Sequence, residues 1–175
     1  MKQVIQSYRT GRLRLCEVAL PALQKGQVLV KTAFSAVSLG TEGQKVMTAR
    51  SSLLKKARSR PDLVRQVLQT ARREGFRSTY RKVIDQLGKE IPLGYSASGR
   101  VIKLGARVEE FQVGDRVACG GEMAAHAEVL AIPMNLCVEV PDEVRLDLAA
   151  FTTIGAIALQ ALRQADAKLG ECVAV

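Results

Sequence analysis

Two runs of short, apolar-alternating segments, punctuated by glycine, constrain the fold of this chain more than any other feature. The first run covers Gln3 to Ser7, Leu13 to Val18 and Gln27 to Ser35, where Val28, Val30 and Thr32 alternate with Leu29 and Lys31. A period of two places successive side chains on opposite faces of a strand. Gly11 and Lys25-Gly26 supply the turns. The second run covers Ser98 to Leu104, Arg116 to Cys119, Ala124 to Ile132 and Cys137 to Val140, separated by Gly105, Gly114-Asp115, Gly120-Gly121 and Pro133. Many short strands with frequent Gly turns predict a mainly β fold, a small barrel or sandwich.

Between the runs, about Thr41 to Lys89, the period becomes helical, so the β fold carries an α insertion over about residues 43–90. Ser59-Arg-Pro-Asp62 resembles a capping box with Pro in the first turn, after which Leu63, Val64, Val67, Leu68 and Ala71 share one helical face. Gly75 is a natural C-cap. A second helix is predicted from Ser78 or Thr79 to Gly88, with Tyr80, Val83, Ile84 and Leu87 turned inward and the arginines on the wet faces. The formal charge of +9 is concentrated here: residues 50–90 hold 12 Lys/Arg against 4 Asp/Glu, and the rest of the chain 14 against 13. A basic segment of this kind is by default a solvated face; the alternative is a binding module for an acidic or phosphorylated partner without catalysis. With Phe76 and Tyr80 as its aromatics and no recognised motif, it argues against nucleic acid.

Ala149 to Leu162 reads as a buried helix, followed by Leu169-Gly-Glu171 and the strand-like Cys172 to Val175. Helix, short turn and buried strand is how an α/β nucleotide-binding domain opens. The expected organisation is a substrate domain over 1–148 and the start of a truncated dinucleotide-binding domain over 149–175. Cys16, Cys119, Cys137 and Cys172 lie far apart in sequence without a C-x-x-C pair, which predicts isolated reduced thiols, mostly core. The amino terminus lacks a signal-peptide apolar stretch and no apolar run is long enough to cross a bilayer, so a cytoplasmic protein with no membrane partner is expected.

Taken in order, these segments resemble the medium-chain dehydrogenase/reductase superfamily, the alcohol dehydrogenase-like enzymes with a GroES-like amino-terminal domain. Leu39-Gly-Thr-Glu42 is similar to the family's Cys-Gly-Thr-Asp segment, and Pro92-Leu-Gly-Tyr-Ser-Ala-Ser-Gly-Arg-Val101 to its Gly-His-Glu-x-x-Gly-x-Val segment. Val113-Gly-Asp-Arg-Val117 matches the family turn without change, and there Gly114 can take a positive φ while Asp115 hydrogen-bonds nearby backbone. The resemblance implies a GroES-like β-barrel followed by the first helix and strand of a truncated Rossmann domain. The basic stretch Ser52 to Arg65 with Pro92-Leu-Gly-Tyr-Ser96 further resembles a bacterial subgroup in which this half is fused to a second oxidoreductase.

Zinc members of the family hold a catalytic metal through Cys, His and a further Cys or carboxylate. The matching positions here carry Leu39, Tyr95 and, near the third, Thr152, none a credible zinc ligand. The resemblance therefore implies zinc-independent, NAD(P)-dependent reduction, which depends on positioning the acceptor and on hydrogen bonds to the developing oxyanion. Thr41 matches the family's relay hydroxyl and Tyr95 stands where the metal-binding His would be, which makes them the candidate catalytic residues. Ser38, Glu42 and Ser96 are the candidate substrate-cleft neighbours, and Thr152 and Thr153 the candidate cofactor contacts. Thr41 is equally well read as a helix cap, and Glu42 as compensation of a helix dipole. His126, in Ala125-His-Ala-Glu-Val129, reads as a structural residue of a barrel strand rather than a metal ligand or base.

The Gly-x-Gly-x-x-Gly cofactor fingerprint is not in the sequence, since Gly94 to Gly99 has the wrong spacing. NAD or NADP is expected in the full-length protein, with no tight binding, and no dehydrogenase activity, for these 175 residues alone. The implied partners are a small carbonyl or sugar-derived substrate and the missing C-terminal Rossmann domain; a homodimer at full length is left open.

Overall fold

Alternation, burial and glycine positions recur in the computed structural model of the chain, which describes residues 1–7, 9–50, 61–88, 90–166, 168 and 170–172. The predicted helix start at Ser59-Arg60, the turn residue Leu169 and the strand over 173–175 lie outside those residues, as do the side chains of Leu63 and Leu87. The chain divides into two units: Met1–Gln3 with Glu17–Ala36 and Gly94–Val175, and Val4–Cys16 with Val37–Leu93.

The first unit is built on five antiparallel strands: β3 (Gln27–Ser35), β5 (Ser96–Leu104), β6 (Arg116–Gly120), β7 (Val129–Pro133) and β8 (Cys137–Glu139). Their order, β7-β3-β5-β6-β8, leaves β7 and β8 as edges, so the expected barrel is realised as a half-barrel. Its core takes every second residue of adjacent strands: Val28 and Val30, Val117 and Cys119, Leu130 and Ile132, with Ala97 and Val101 between them. Gly99 is required where β3 bulges between Thr32 and Phe34, because a Cβ there would lie 2.1 Å from the Lys31 carbonyl oxygen. The turn before β6 follows its sequence: Gly114 has φ +103°, and Asp115 Oδ2 accepts the Gln112 N–H at 2.6 Å.

Two expectations for this unit are corrected. Ala124 to Glu128 does not extend β7. Backbone donors there are spent on turns, Ala124 N–H to Gly121 O and Ala127 N–H to Ala125 O, leaving a single bridge, Gln3 to Ala127. The helix predicted as one buried run from Ala149 is two pieces, a short one over Leu146–Ala149 (α4) and a longer one over Thr152–Gln164 (α5). Ala149 and Ala150 are buried, but α5 buries no residue, and Ile157, Leu159 and Leu162 stay exposed because no described element lies over their face.

The second unit holds a three-stranded sheet, β1 (Lys2–Ser7), β2 (Leu13–Glu17) and the unanticipated β4 (Glu90–Pro92), in the order β2-β1-β4 with Ile5 opposite Pro92. Its helices are α1 (Thr41–Arg50), α2 (Pro61–Glu74) and α3 (Phe76–Leu87). Gly75, at φ +88°, separates α2 from α3, which begins at Phe76 rather than Ser78. These helices meet through small residues, with Ala71 and Thr79 buried. Val67, Leu68, Tyr80 and Ile84, expected to turn inward, are exposed. A pair of helices can cover only the strip along which the two touch; the rest of each apolar stripe needs a third element, and none is described.

Candidate functional site

The predicted site residues fall into two groups, one in each unit. In the second unit, the turn before α1 gathers Ser38, Thr41 and Glu42. Ser38 Oγ accepts the Thr41 N–H at 3.3 Å, and the Ser38 carbonyl accepts the Glu42 N–H at 2.9 Å. Ser38, rather than Thr41, therefore supplies the capping oxygen. Thr41 remains exposed, whereas Glu42 is buried in the first turn, where the N-terminal end of the helix favours a carboxylate.

In the first unit, Tyr95 leads into β5. It is half-buried rather than buried, and among the described residues its hydroxyl has no hydrogen-bond partner. A phenol held in that state retains its donor for an incoming group. Ser96 and Ser98 alternate on one face of β5, both almost fully buried. Ser96 Oγ–H donates to the Ala150 carbonyl at 2.6 Å, and Ser98 Oγ–H donates to that of Leu146 at 2.5 Å. Two serines thus fasten α4 and the turn after it to the sheet. At the start of α5, Thr152 Oγ–H donates to the Ala149 carbonyl at 2.7 Å, and Thr153 Oγ1 lies so close to Gly120 that a Cβ there would be 2.9 Å away.

Beside these residues, β6, β8 and the two helices enclose a cleft of about 360 Å³ lined by Val138, Val140, Val144, Leu148, Phe151 and Thr152 among others. Its walls are mostly hydrocarbon, suited to an apolar or planar group with Thr152 as a polar contact. The sequence reading missed this cleft and the role of Ser98. The signal was present: a Ser-Ala-Ser-Gly run inside a strand leaves a strip of short side chains, two with hydroxyls, where another backbone can approach.

The positions that match the family's zinc ligands do not fit a metal. Leu39 is an exposed hydrocarbon side chain, Tyr95 offers a neutral phenol, and the Thr152 proton is committed to a carbonyl. Among the described residues no three His, Cys, Asp or Glu side chains converge. His126 is half-buried with Nδ1 2.9 Å from Ser35 Oγ, a structural contact. The expectation of isolated thiols fails for one pair: Cys119 and Cys137 face each other across β6 and β8 with Sγ atoms 3.8 Å apart.

The sequence profile of the alcohol dehydrogenase GroES-like domain matches residues 63–142. The (R,R)-butanediol dehydrogenase of Bacillus subtilis is 27% identical over an alignment covering 49% of this chain and 32% of that enzyme. Over that stretch the chain is similar to the alcohol dehydrogenase-like enzymes. Solved structures with the same fold include a quinone oxidoreductase from Coxiella burnetii, with a TM-score of 0.68 and 22% identity over 98% of this chain and 47% of that one. The quinone oxidoreductase of Escherichia coli, solved in complex with NADPH, follows at a TM-score of 0.64 and 15% identity over 94% of this chain and 41% of that one. The chain thus spans a third to a half of these medium-chain relatives. No helix among the described residues is long and apolar enough to cross a membrane.

Proposed function

We propose that this chain forms the substrate-side part of an NAD(P)-dependent oxidoreductase that works without zinc, completed by a nucleotide-binding domain that begins near residue 149. The observation that carries the reading is the unpartnered, half-buried Tyr95 hydroxyl standing where a metal-binding side chain stands in zinc relatives. The nicotinamide, when bound, supplies the hydride. Tyr95 then donates a hydrogen bond to the carbonyl oxygen as negative charge grows on it, the task a Lewis acid otherwise performs. Within its own unit, Thr41 carries the hydroxyl that the family resemblance assigns to a proton relay, and the Ser38 cap and buried Glu42 fix the turn that carries it. Ser96 holds the segment that presents Tyr95, and Thr152 and Thr153 approach the cofactor; after donating to Ala149, Thr152 Oγ1 still has lone pairs to accept a bond. Substrates of the carbonyl or sugar-derived class and a cytoplasmic location complete the reading.

The test is NADPH and NADH consumption by the full-length protein against quinone and carbonyl acceptors. Turnover is expected to survive exhaustive chelation, and Tyr95→Phe to lower kcat roughly 100-fold without changing the thermal midpoint. Stoichiometric zinc whose removal abolishes activity, or a Tyr95→Phe enzyme of normal kcat, would overturn it.

A further inference from the structure

The two thiols that the fold brings together are far apart in sequence and serve no role in the reaction above. We propose that Cys119 and Cys137 are an oxidative modification site, closing to a cross-strand disulfide when the protein meets a hydroperoxide. The register carries the argument. Cys119 pairs directly with Cys137, Ala118 with Val138 and Val117 with Glu139. The Val140 N–H donates to the Arg116 carbonyl at 2.8 Å, which marks the bonded rung of the ladder. Rungs alternate, so Arg116–Val140 and Ala118–Val138 are bonded pairs, and Cys119–Cys137 is a non-hydrogen-bonded pair. In such a pair the Cα atoms approach to about 4.5 Å and side chains on one face come closest. That separation lies within the span of a disulfide, about 4.4–6.8 Å. The Sγ atoms are already 3.8 Å apart, so side-chain rotation can close the bond without moving the strands.

The two sulfurs have different surroundings, which sets the order of events. Cys119 is buried in the core at 2% exposure, while Cys137 opens an edge strand and is only partly covered. The hydrogen bond that the two sulfurs share at 3.8 Å lowers the Cys137 pKa, while that bond and burial together raise that of Cys119. Cys137 is therefore the reachable nucleophile. Its thiolate attacks one peroxide oxygen, the O–O bond breaks, and a sulfenic acid and hydroxide (an alkoxide from an organic peroxide) result. The Cys119 sulfur then attacks the sulfenic sulfur, the S–O bond breaks, and the departing hydroxide takes the Cys119 proton as water. Two thiols are oxidised by two electrons and one peroxide is reduced. The product pins edge strand β8 to β6 beside the cleft wall formed by Ala118 and Val138.

The experiment treats the folded full-length protein with hydrogen peroxide, blocks remaining thiols with N-ethylmaleimide, and maps peptides without reduction. Trypsin leaves Cys119 and Cys137 together on residues 117–145, and cleavage after Glu122 or Glu128 separates them. The expected result is an unalkylated pair of peptides joined through Cys119 and Cys137 and released by dithiothreitol, with Cys16 and Cys172 alkylated. Cys119→Ser is expected to form no disulfide and to end as a Cys137 sulfinic acid. Alkylation of both Cys119 and Cys137 after exposure, sulfinic acid at Cys137 in the unaltered protein, or crosslinks through Cys16 or Cys172 would each overturn the proposal.

Discussion

Removing the Ser96 hydroxyl tests how the sheet holds its helical end. In Ser96→Ala the buried Ala150 carbonyl, 2% exposed, loses its side-chain donor in a place that water cannot enter, since residue 96 is itself at 0%. An orphaned buried acceptor costs about 1–3 kcal/mol. For a chain of this length that corresponds to a fall in the melting midpoint of roughly 3–10 °C. Ser98→Ala is the internal comparison, because the Leu146 carbonyl also accepts the Ala150 N–H at 3.0 Å and remains bonded when the serine is gone. Only the net value of one hydrogen bond, about 0.5–1.5 kcal/mol, is then lost. Urea unfolding followed by circular dichroism suits a chain without Trp, and the two variants are compared at equal m-value. A Ser96→Ala protein no less stable than Ser98→Ala would refute the reasoning. So would losses of about 0.3 kcal/mol or less in both, because buried pairing would then not be what secures the turn between α4 and α5.

Gly99→Ala is expected to remove more than about 4 kcal/mol, or to abolish soluble expression, because its new Cβ meets a backbone oxygen that cannot swing aside; a near-normal thermal midpoint would contradict the packing described for β3 and β5. Hydrogen bonds from Arg145 hold the Asp147 carboxyl below its ordinary 3.8. Its contribution to stability is therefore complete above that value and disappears as pH falls through the lower folded pKa, and Arg145→Ala should bring an NMR titration of Asp147 back up, with an unchanged midpoint counting against the pairing.

Much of the architecture was readable in advance, for reasons that differ between segments. Gln27–Ser35 was located to the residue because a buried central strand shows its period plainly and Lys25-Gly26 marks its start. Val113 to Val117 was equally legible, since a tight turn selects residue types locally. What was lost depends on partners remote in sequence. β4, three exposed residues, carries no period of its own and exists only by pairing with β1. The faces of α2, α3 and α5 are apolar in sequence, but burial is a property of what lies opposite, which no single segment encodes. Tyr95 and Thr41 were selectable by resemblance, whereas the serine fastenings at Ser96 and Ser98 and the facing thiols arise from register and crossing of strands. A period of two says which side a residue takes, and nothing about which neighbour it meets.

The chain leaves the half-barrel after Ser35 and rejoins it at Ser96, and those two points are side by side: Ser35 stands opposite Ala97, and the Ala36 N–H donates to the Ser96 carbonyl at 2.9 Å. Everything from Val37 to Leu93 is thus an excursion whose two feet stand on adjacent strands. Lengthening or shortening such an excursion changes its closure entropy only logarithmically, by about 0.6 kcal/mol per doubling. The scaffold can accept helices, basic residues or whole new lobes between those feet while its strands keep their register, so the excursion can be rewritten without redesigning the sheet it departs from.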